Sequence, residues 1–166
     1  MKVMEEGERR RASRGCFGCG DLNPKGLKLA FRIEDGAAVA EFDPDPHSQG
    51  YPGLMHGGIV AAILDEAMGW AIYGQGIWAM TARMQLRFRQ SVPLARRLRV
   101  SARITKQRLG LVEARAELRD ASGTLLAEGE GAFLRVTPEK GRQLEEFYRA
   151  ATAETDLSTD MERING

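Results

Sequence analysis

The sequence predicts an α+β domain in which a curved antiparallel sheet wraps around one long central helix. Residues 59–72 are apolar on almost every side, so a helix in this segment must be covered by other parts of the chain. After residue 83 apolar and polar residues alternate with a period of two, which is typical of antiparallel strands with one solvated face. A length of 166 residues fits a single domain of this kind.

Two short strands open the predicted domain. Residues 27–33 and 37–42 alternate well enough to form a hairpin, with Glu34-Asp35-Gly36 as its turn. The residues before this hairpin, 15–26, are dense in turn-forming types and predict a loop. The segment 43–54 holds three prolines and two glycines and is also expected to be a loop.

The central helix is predicted next, with about eighteen residues. His56-Gly57-Gly58 precedes a run of good helix formers, and Gly74-Gln75-Gly76 supplies the glycines expected just past a helix end. Its centre carries Asp65 and Glu66. The apolar run is too short to span a bilayer, so we interpret it as a core helix that holds two carboxylates.

Three or four long strands and a short helix complete the prediction. Along each strand apolar residues alternate with polar ones, in segments that start at residue 83 and continue through 97–104, 111–119 and 124–136. Residues 142–151 predict a final helix.

Composition and charge indicate the domain boundaries and the classes of partner. We expect a flexible arm at 1–14, the domain at 15–152 and a polar tail at 153–166. Because 24 Lys and Arg face 23 Asp and Glu, a formal charge of +1, no net basic field would attract nucleic acid. The start of the chain is charged rather than apolar, and two cysteines are too few for a secreted disulfide framework. The expected compartment is the cytoplasm, with no membrane partner.

Asp65 is the main candidate for chemistry. At 100° per residue it shares a helix face with Gly58, Ala61, Ala62 and Gly69. A carboxylate among such small side chains faces either a closely packed helix or an open slot for a ligand. A desolvated carboxylate must find a partner or raise its pKa, and both outcomes suit a general base. The alternative is an aspartate that only binds a buried backbone group.

The helix start and Glu66 are further candidates. The first N–H groups of a helix lack intrahelical acceptors and carry the positive end of its dipole, and Gly57 and Gly58 let an oxygen come close to them. They can therefore hold a phosphate or a developing oxyanion, or be no more than a glycine helix start. Glu66 lies about 100° round the helix. It is either a second functional acid or, as we favour, an interface carboxylate paired with an arginine.

The cysteines and arginines are expected to be structural. Cys16 and Cys19 form a lone Cys-x-x-Cys motif, whereas a zinc site needs further ligands and a redox site needs a helix directly after the motif. We therefore expect no metal and no cofactor. The many arginines predict cross-strand ion pairs, although a few of them could bind the phosphates of a carrier. The expected acidic partners are Glu113, Glu117, Glu128 and Glu130.

Residues 15–136 resemble the hotdog-fold acyl-CoA thioesterases of the phenylacetate-degradation (PaaI-like) type. The most specific part of the resemblance is residues 50–69. The motifs that carry it are Cys16-Phe17-Gly18-Cys19-Gly20, Asn23-Pro24-Lys25-Gly26-Leu27, Gln49-Gly50-Tyr51-Pro52-Gly53, His56-Gly57-Gly58 and Asp65-Glu66-Ala67-Met68-Gly69.

The resemblance implies roles for four catalytic residues and a homo-oligomer. Asp65 would activate or orient water, the Gly57 N–H would polarise the thioester carbonyl, and His56 would support the loop. Thr81, contributed by the partner subunit, would help to hold the water. The subunits would pair edge to edge with active sites between them, as a homodimer or as a homotetramer built from two dimers.

Substrate contacts are expected from Gly58, Gln49 and Gly50. Gly50 stands where the family often has an asparagine or glutamine that steadies the carbonyl, and Gln49 lies one place before it.

The resemblance predicts hydrolysis of a small or medium acyl-CoA thioester to the free acid and CoA. Asp65 would act as general base or would attack directly to give an anhydride, and both routes stay open. One alternative is a hydroxyacyl-thioester dehydratase of the same fold that uses His47 and Glu66 as its acid and base. The other is a binding module that holds acyl-CoA without turning it over.

Overall fold

A curved antiparallel sheet packs against one long helix, as predicted. The computed structural model describes residues 15–151 and the backbone of Arg9–Arg10. Within these residues the sheet has seven strands, β1 (Arg9–Arg10), β2 (Phe31–Glu34), β3 (Ala37–Phe42), β4 (Ala79–Phe88), β5 (Leu98–Arg108), β6 (Leu111–Asp120) and β7 (Leu125–Arg135). Their order across the sheet is β1-β2-β3-β5-β6-β7-β4. The helices are α1 (Gly57–Tyr73), α2 (Pro138–Ala151) and a short 3-10 helix, Pro46–Ser48.

The ends of the chain are only partly described. Apart from β1, the predicted arm at 1–14 and the predicted tail at 153–166 lie outside the described residues. The two residues of β1 pair with β2 at one edge of the sheet. Among the described residues, no helix has both the length and the apolar character needed to cross a membrane.

Helix α1 lies across the sheet and contacts β3, β4, β5, β6 and β7. Its sheet-facing side chains, among them Ile63, Leu64 and Met68, are fully buried. Asp65 and Gly69 are only half-buried. The small-residue face predicted around Asp65 is therefore the part of the helix that the sheet leaves partly open.

The first predicted strand is shorter than its sequence pattern indicates. Residues 27–33 alternate as a strand does, but β2 begins only at Phe31. Lys28 has a φ of 55°, in the left-handed region, which interrupts an extended strand. The N–H groups of Leu27 and Leu29 instead donate to the carbonyls of Phe17 and Gly18, at 2.7 and 2.9 Å. This segment therefore holds the Cys-x-x-Cys loop against the core.

Two further expectations need correction. The final helix begins at Pro138 rather than at residue 142. The Thr137 hydroxyl accepts a hydrogen bond from the Lys140 N–H, so threonine and proline together start the helix. The alternation after residue 83 predicts Phe88 on the apolar side of its strand, but its side chain is 54% exposed. It lies on β4, which pairs only with β7 and so forms a free sheet edge within the described chain.

One of the predicted acidic partners forms ion pairs across strands: Glu128, on β7, pairs with Arg89 and with Arg115 of β6. Glu117 instead pairs with Arg115 and Arg119 along its own strand, β6. The Arg89 guanidinium holds the pKa of Glu128 below its usual value. The other two expected partners, Glu113 and Glu130, form no ion pair with any described residue.

Candidate active site

Asp65 and Thr81 form the centre of the candidate site. The Thr81 hydroxyl donates a hydrogen bond of 2.8 Å to Oδ1 of Asp65. Because β4 lies beside α1 in the same chain, this contact needs no second subunit. The resemblance, in contrast, implied that Thr81 comes from the partner subunit. Within the described residues Oδ2 of Asp65 takes part in no hydrogen bond. It is therefore available to accept a proton from a water molecule.

A cavity of about 350 Å³ opens beside this pair. Asp65, Gly69 and Thr81 line one part of it, and an apolar wall contains Tyr73 and Phe133. Gly69 adds no side chain to the helix face, and a Cβ atom placed there would meet nothing within 4 Å. The slot predicted from the small residues around Asp65 is thus present.

The start of α1 carries the other predicted group. His56 is the N-cap residue, and its Nδ1 accepts a hydrogen bond of 2.9 Å from the Gly58 N–H. Gly57 is the first helical residue, and its N–H has no acceptor among the described residues. Gly57 is exposed, and the ring of Phe88 lies 3.7 Å from where its Cβ would be. Of the two glycine amides, only that of Gly57 is therefore free to receive negative charge.

Replacing His56 by alanine is expected to lower the free energy of unfolding by about 1 kcal/mol, because the Gly58 N–H loses its side-chain acceptor. Asparagine caps helices well, so His56→Asn is expected to recover most of the loss. Urea unfolding of the three proteins at equal concentration measures both effects. Equal midpoints for wild type and His56→Ala would show that the cap contributes nothing.

Gln49 and Gly50 lie in the tight loop that leads to the helix. Oε1 of Gln49 accepts a hydrogen bond of 2.8 Å from the Gly53 N–H, so the Gln49 side chain closes this loop. A Cβ atom at Gly50 would lie 3.0 Å from Cα of His56. A larger residue at position 50 would thus press against the N-cap residue, which explains why glycine occupies this position.

Among the side chains that the structure describes, no arginine pairs with Glu66, so the structure gives that expectation no support. Trp70 Nε1 donates a hydrogen bond of 3.1 Å to Oε1 of Glu66, and Sγ of Cys16 lies 3.7 Å from both carboxylate oxygens. Burial raises the pKa of Glu66 to about 7, and the Cys16 sulfur acts in the same direction. Helix α1 turns Glu66 inward toward the Cys-x-x-Cys loop rather than toward the arginine-rich strands.

The two cysteines behave differently. A hydrogen bond from the Cys19 side chain lowers the pKa of the Cys16 thiol to about 5, against the opposing effect of burial. The same interaction raises the pKa of Cys19, which is fully buried. The cluster of Cys16, Cys19 and Glu66 lines the same cavity as Asp65. Sequence reasoning missed it, because fifty residues separate Cys16 from Glu66.

The acid and base of the dehydratase alternative are not brought together. His47 is 95% exposed, and its Nδ1 lies 2.8 Å from Asp45 on the loop before α1. The partners of Glu66 are Cys16 and Trp70.

Asp65 and the Gly57 amide of one chain are too far apart to act on the same carbonyl. Eight residues separate them along α1, which at 1.5 Å per residue is about 12 Å. Gly57 is not among the residues that line the cavity beside Asp65. Within one chain these two groups therefore do not meet at one carbonyl, and the roles expected of them stay predictions.

Comparison with known proteins relates this geometry to a family. Residues 52–127 match the thioesterase superfamily. The acyl-coenzyme A thioesterase THEM4 of Bos taurus is 31% identical over 64% of this chain and 44% of its own length. The chain thus spans less than half the length of the curated relatives it matches first.

Solved structures share the fold. A thioesterase superfamily protein has a TM-score of 0.71 and 25% identity, and the match covers 74% of this chain and 61% of that one. The E. coli PaaI protein from the phenylacetic acid degradation operon has a TM-score of 0.62 and 19% identity over 67% of this chain and 81% of that protein. The resemblance to hotdog-fold thioesterases drawn from the sequence is confirmed, since residues 52–127 match the thioesterase superfamily and the fold is shared with solved structures of thioesterase superfamily proteins.

Proposed function

We propose that the protein hydrolyses an acyl-CoA thioester to the free acid and CoA, with Asp65 as the general base. The observation that carries the proposal is the hydrogen bond from Thr81 to Asp65 at the edge of an open cavity. The curated relatives suggest the substrate class, because the relatives that match this domain are named acyl-coenzyme A thioesterases.

The contacts of Asp65 suit the activation of water. Because Thr81 donates to Oδ1, the carboxylate is held in one orientation while Oδ2 faces no competing donor among the described residues. The lone pairs of the Thr81 oxygen can then accept a hydrogen bond from the attacking water, and Oδ2 can take its proton. The same oxygen could attack the carbonyl directly to form an anhydride.

The second half of the site would come from a partner subunit. The Gly57 N–H can stabilise the oxyanion of a tetrahedral intermediate, but it lies about 12 Å along α1 from Asp65 of its own chain. Ala61 lies halfway between Gly57 and Asp65 in the sequence, on the partly open face of α1. If two copies of α1 pack antiparallel about an axis near Ala61, Asp65 of each chain meets the helix start of the other.

The free edge of β4 supports such pairing. Its strand is ten residues long, and among the described residues no other strand covers its outer side. Met80 and Phe88 are exposed there, and Phe88 approaches Gly57 of its own chain. Pairing β4 with a second β4 would cover this edge and make one continuous sheet. We therefore propose a homodimer as the active unit.

Turnover of an acyl-CoA panel tests the proposed function. The protein is incubated with acetyl-, phenylacetyl-, hexanoyl- and lauroyl-CoA, and a thiol-reactive chromophore reports free CoA. We expect steady release of CoA from at least one of them. Tight binding without CoA release would instead identify a binding module, and loss of enoyl absorbance from an enoyl-CoA without thiol release would identify a dehydratase. Either of these results would overturn the proposal.

A further inference from the structure

Two thiols and a carboxylate converge at one point beside the candidate active site. Sγ of Cys16, Sγ of Cys19 and a carboxylate oxygen of Glu66 all lie within 4.8 Å of one another. All three residues line the cavity that also contains Asp65. We propose that Cys16, Cys19 and Glu66 form a three-ligand site for Zn²⁺, which fastens the Cys-x-x-Cys loop to α1.

The loop is folded in a way that brings the two sulfurs together. The Gly20 N–H donates to the Cys16 carbonyl at 2.9 Å and closes the turn. The backbone N–H groups of Gly18 and Cys19 interact with the Cys16 sulfur. Such N–H groups favour the thiolate form, which is the form that binds a metal.

Gly18 allows this loop to lie directly on Glu66. A Cβ atom at position 18 would come to lie on the carboxyl group of Glu66, much closer than any real contact allows. The hydrogen bonds from Leu27 and Leu29 hold the loop in that place. The close approach of the sulfurs to the carboxylate is therefore built in by a glycine and by two backbone contacts.

The spacing of the donor atoms suits a tetrahedral zinc ion. A sulfur at about 2.3 Å and a carboxylate oxygen at about 2.1 Å from a tetrahedral Zn²⁺ lie about 3.6 Å apart. Sγ of Cys16 lies 3.7 Å from each oxygen of Glu66. Two thiolates select zinc over the hard cations Mg²⁺ and Ca²⁺, which prefer oxygen ligands.

The surroundings of the three side chains also favour a bound cation. Trp70 Nε1 donates to Oε1 of Glu66, which orients the carboxylate and leaves Oε2 for a metal. No arginine, lysine or histidine among the described residues pairs with Glu66. A divalent cation bound by these three groups would balance the charge of two thiolates and a carboxylate, which no described cationic side chain does. A water molecule from the cavity can fill the fourth position.

Cobalt substitution tests the site without measuring activity. The reduced full-length protein is freed of metal with EDTA, transferred to buffer without chelator and titrated with Co²⁺. We expect a near-ultraviolet charge-transfer band, the signature of thiolate ligation, that saturates at one Co²⁺ per chain and disappears when Zn²⁺ is added. The variants Cys16→Ser and Cys19→Ser are expected to lose at least nine-tenths of the band.

Two variants and a control separate binding from folding. Trp70→Phe keeps the three ligands and removes the indole N–H, so we expect binding weakened about 10–100-fold with unchanged stoichiometry. Glu66→Gln is expected to weaken binding more strongly, and Glu139→Gln, on the exposed face of α2, to leave it unchanged. Circular dichroism verifies that each variant is folded. Absence of the band in wild type, or an undiminished band in folded Cys16→Ser, would overturn the proposal.

Discussion

Asp65→Asn is expected to lower the rate of thioester hydrolysis by about 10²–10⁴-fold, the usual contribution of a positioned general base. Asparagine has nearly the same shape, and its Oδ1 can still accept the hydrogen bond from the Thr81 hydroxyl. What it loses is the oxygen that takes a proton from water. The measurement is the release of CoA under saturating acyl-CoA, together with the affinity for the same acyl-CoA.

The matched control is Asp43→Asn. Asp43 is an exposed aspartate that pairs with Arg97 on the surface before the 3-10 helix, so the same chemical change there is expected to leave turnover within about twofold. Binding of acyl-CoA to Asp65→Asn is expected to be retained, since in the proposed mechanism Asp65 acts on water rather than on CoA. Wild-type turnover in folded Asp65→Asn would show that another group carries the reaction.

The fold could be predicted because its main signals are local. The helix from Gly57 to Tyr73 follows from an apolar run between glycine-rich ends, and the strands follow from alternation along single segments. Where contacts with a distant segment determine the local structure, the prediction was wrong. Residues 27–30 alternate as a strand does, but Lys28 turns left-handed and Leu29 pairs with the loop at Gly18 instead.

Parts of the site were missed for the same reason. Asp65 and Gly57 could be proposed as site residues because helix periodicity and glycine at a helix start are local patterns. The surroundings of Glu66 depend on residues 16 to 19, which only the folded chain brings to it. The start of α2 at Pro138, in contrast, had a local signal that went unused, since Thr137-Pro138 is a typical helix start.

The distance between Gly57 and Asp65 shows a further limit of prediction from the sequence. Both residues were correctly predicted to lie on one helix, yet their spacing of about 12 Å places them about two helical turns apart. A single sequence suggests the two groups as candidates but not whether they would act within one chain or across two. That depends on how a second subunit packs against the small-residue face of α1.

The largest expected effect on stability comes from the face of α1 that meets the sheet. Leu64 is fully buried, and its Cδ1 atom lies 3.7 Å from where a Cβ would be at Gly129, on β7. Because glycine leaves the sheet without a side chain there, Leu64 packs into this space together with Leu86, whose Cδ2 atom lies 2.7 Å from the same point. Leu64→Ala is expected to lower the free energy of unfolding by about 2–5 kcal/mol.

Leu109→Ala makes the same chemical change where nothing is packed. Leu109 lies between β5 and β6 and is fully exposed, so we expect its loss to change stability by less than about 0.5 kcal/mol. Urea unfolding of both variants at one protein concentration gives the comparison, since association of subunits would make stability depend on concentration. A loss below 1 kcal/mol for Leu64→Ala would mean that neighbouring side chains close the cavity. The helix that carries Asp65 would then be held less rigidly than its burial indicates, and the fixed geometry on which general-base catalysis depends would need another support.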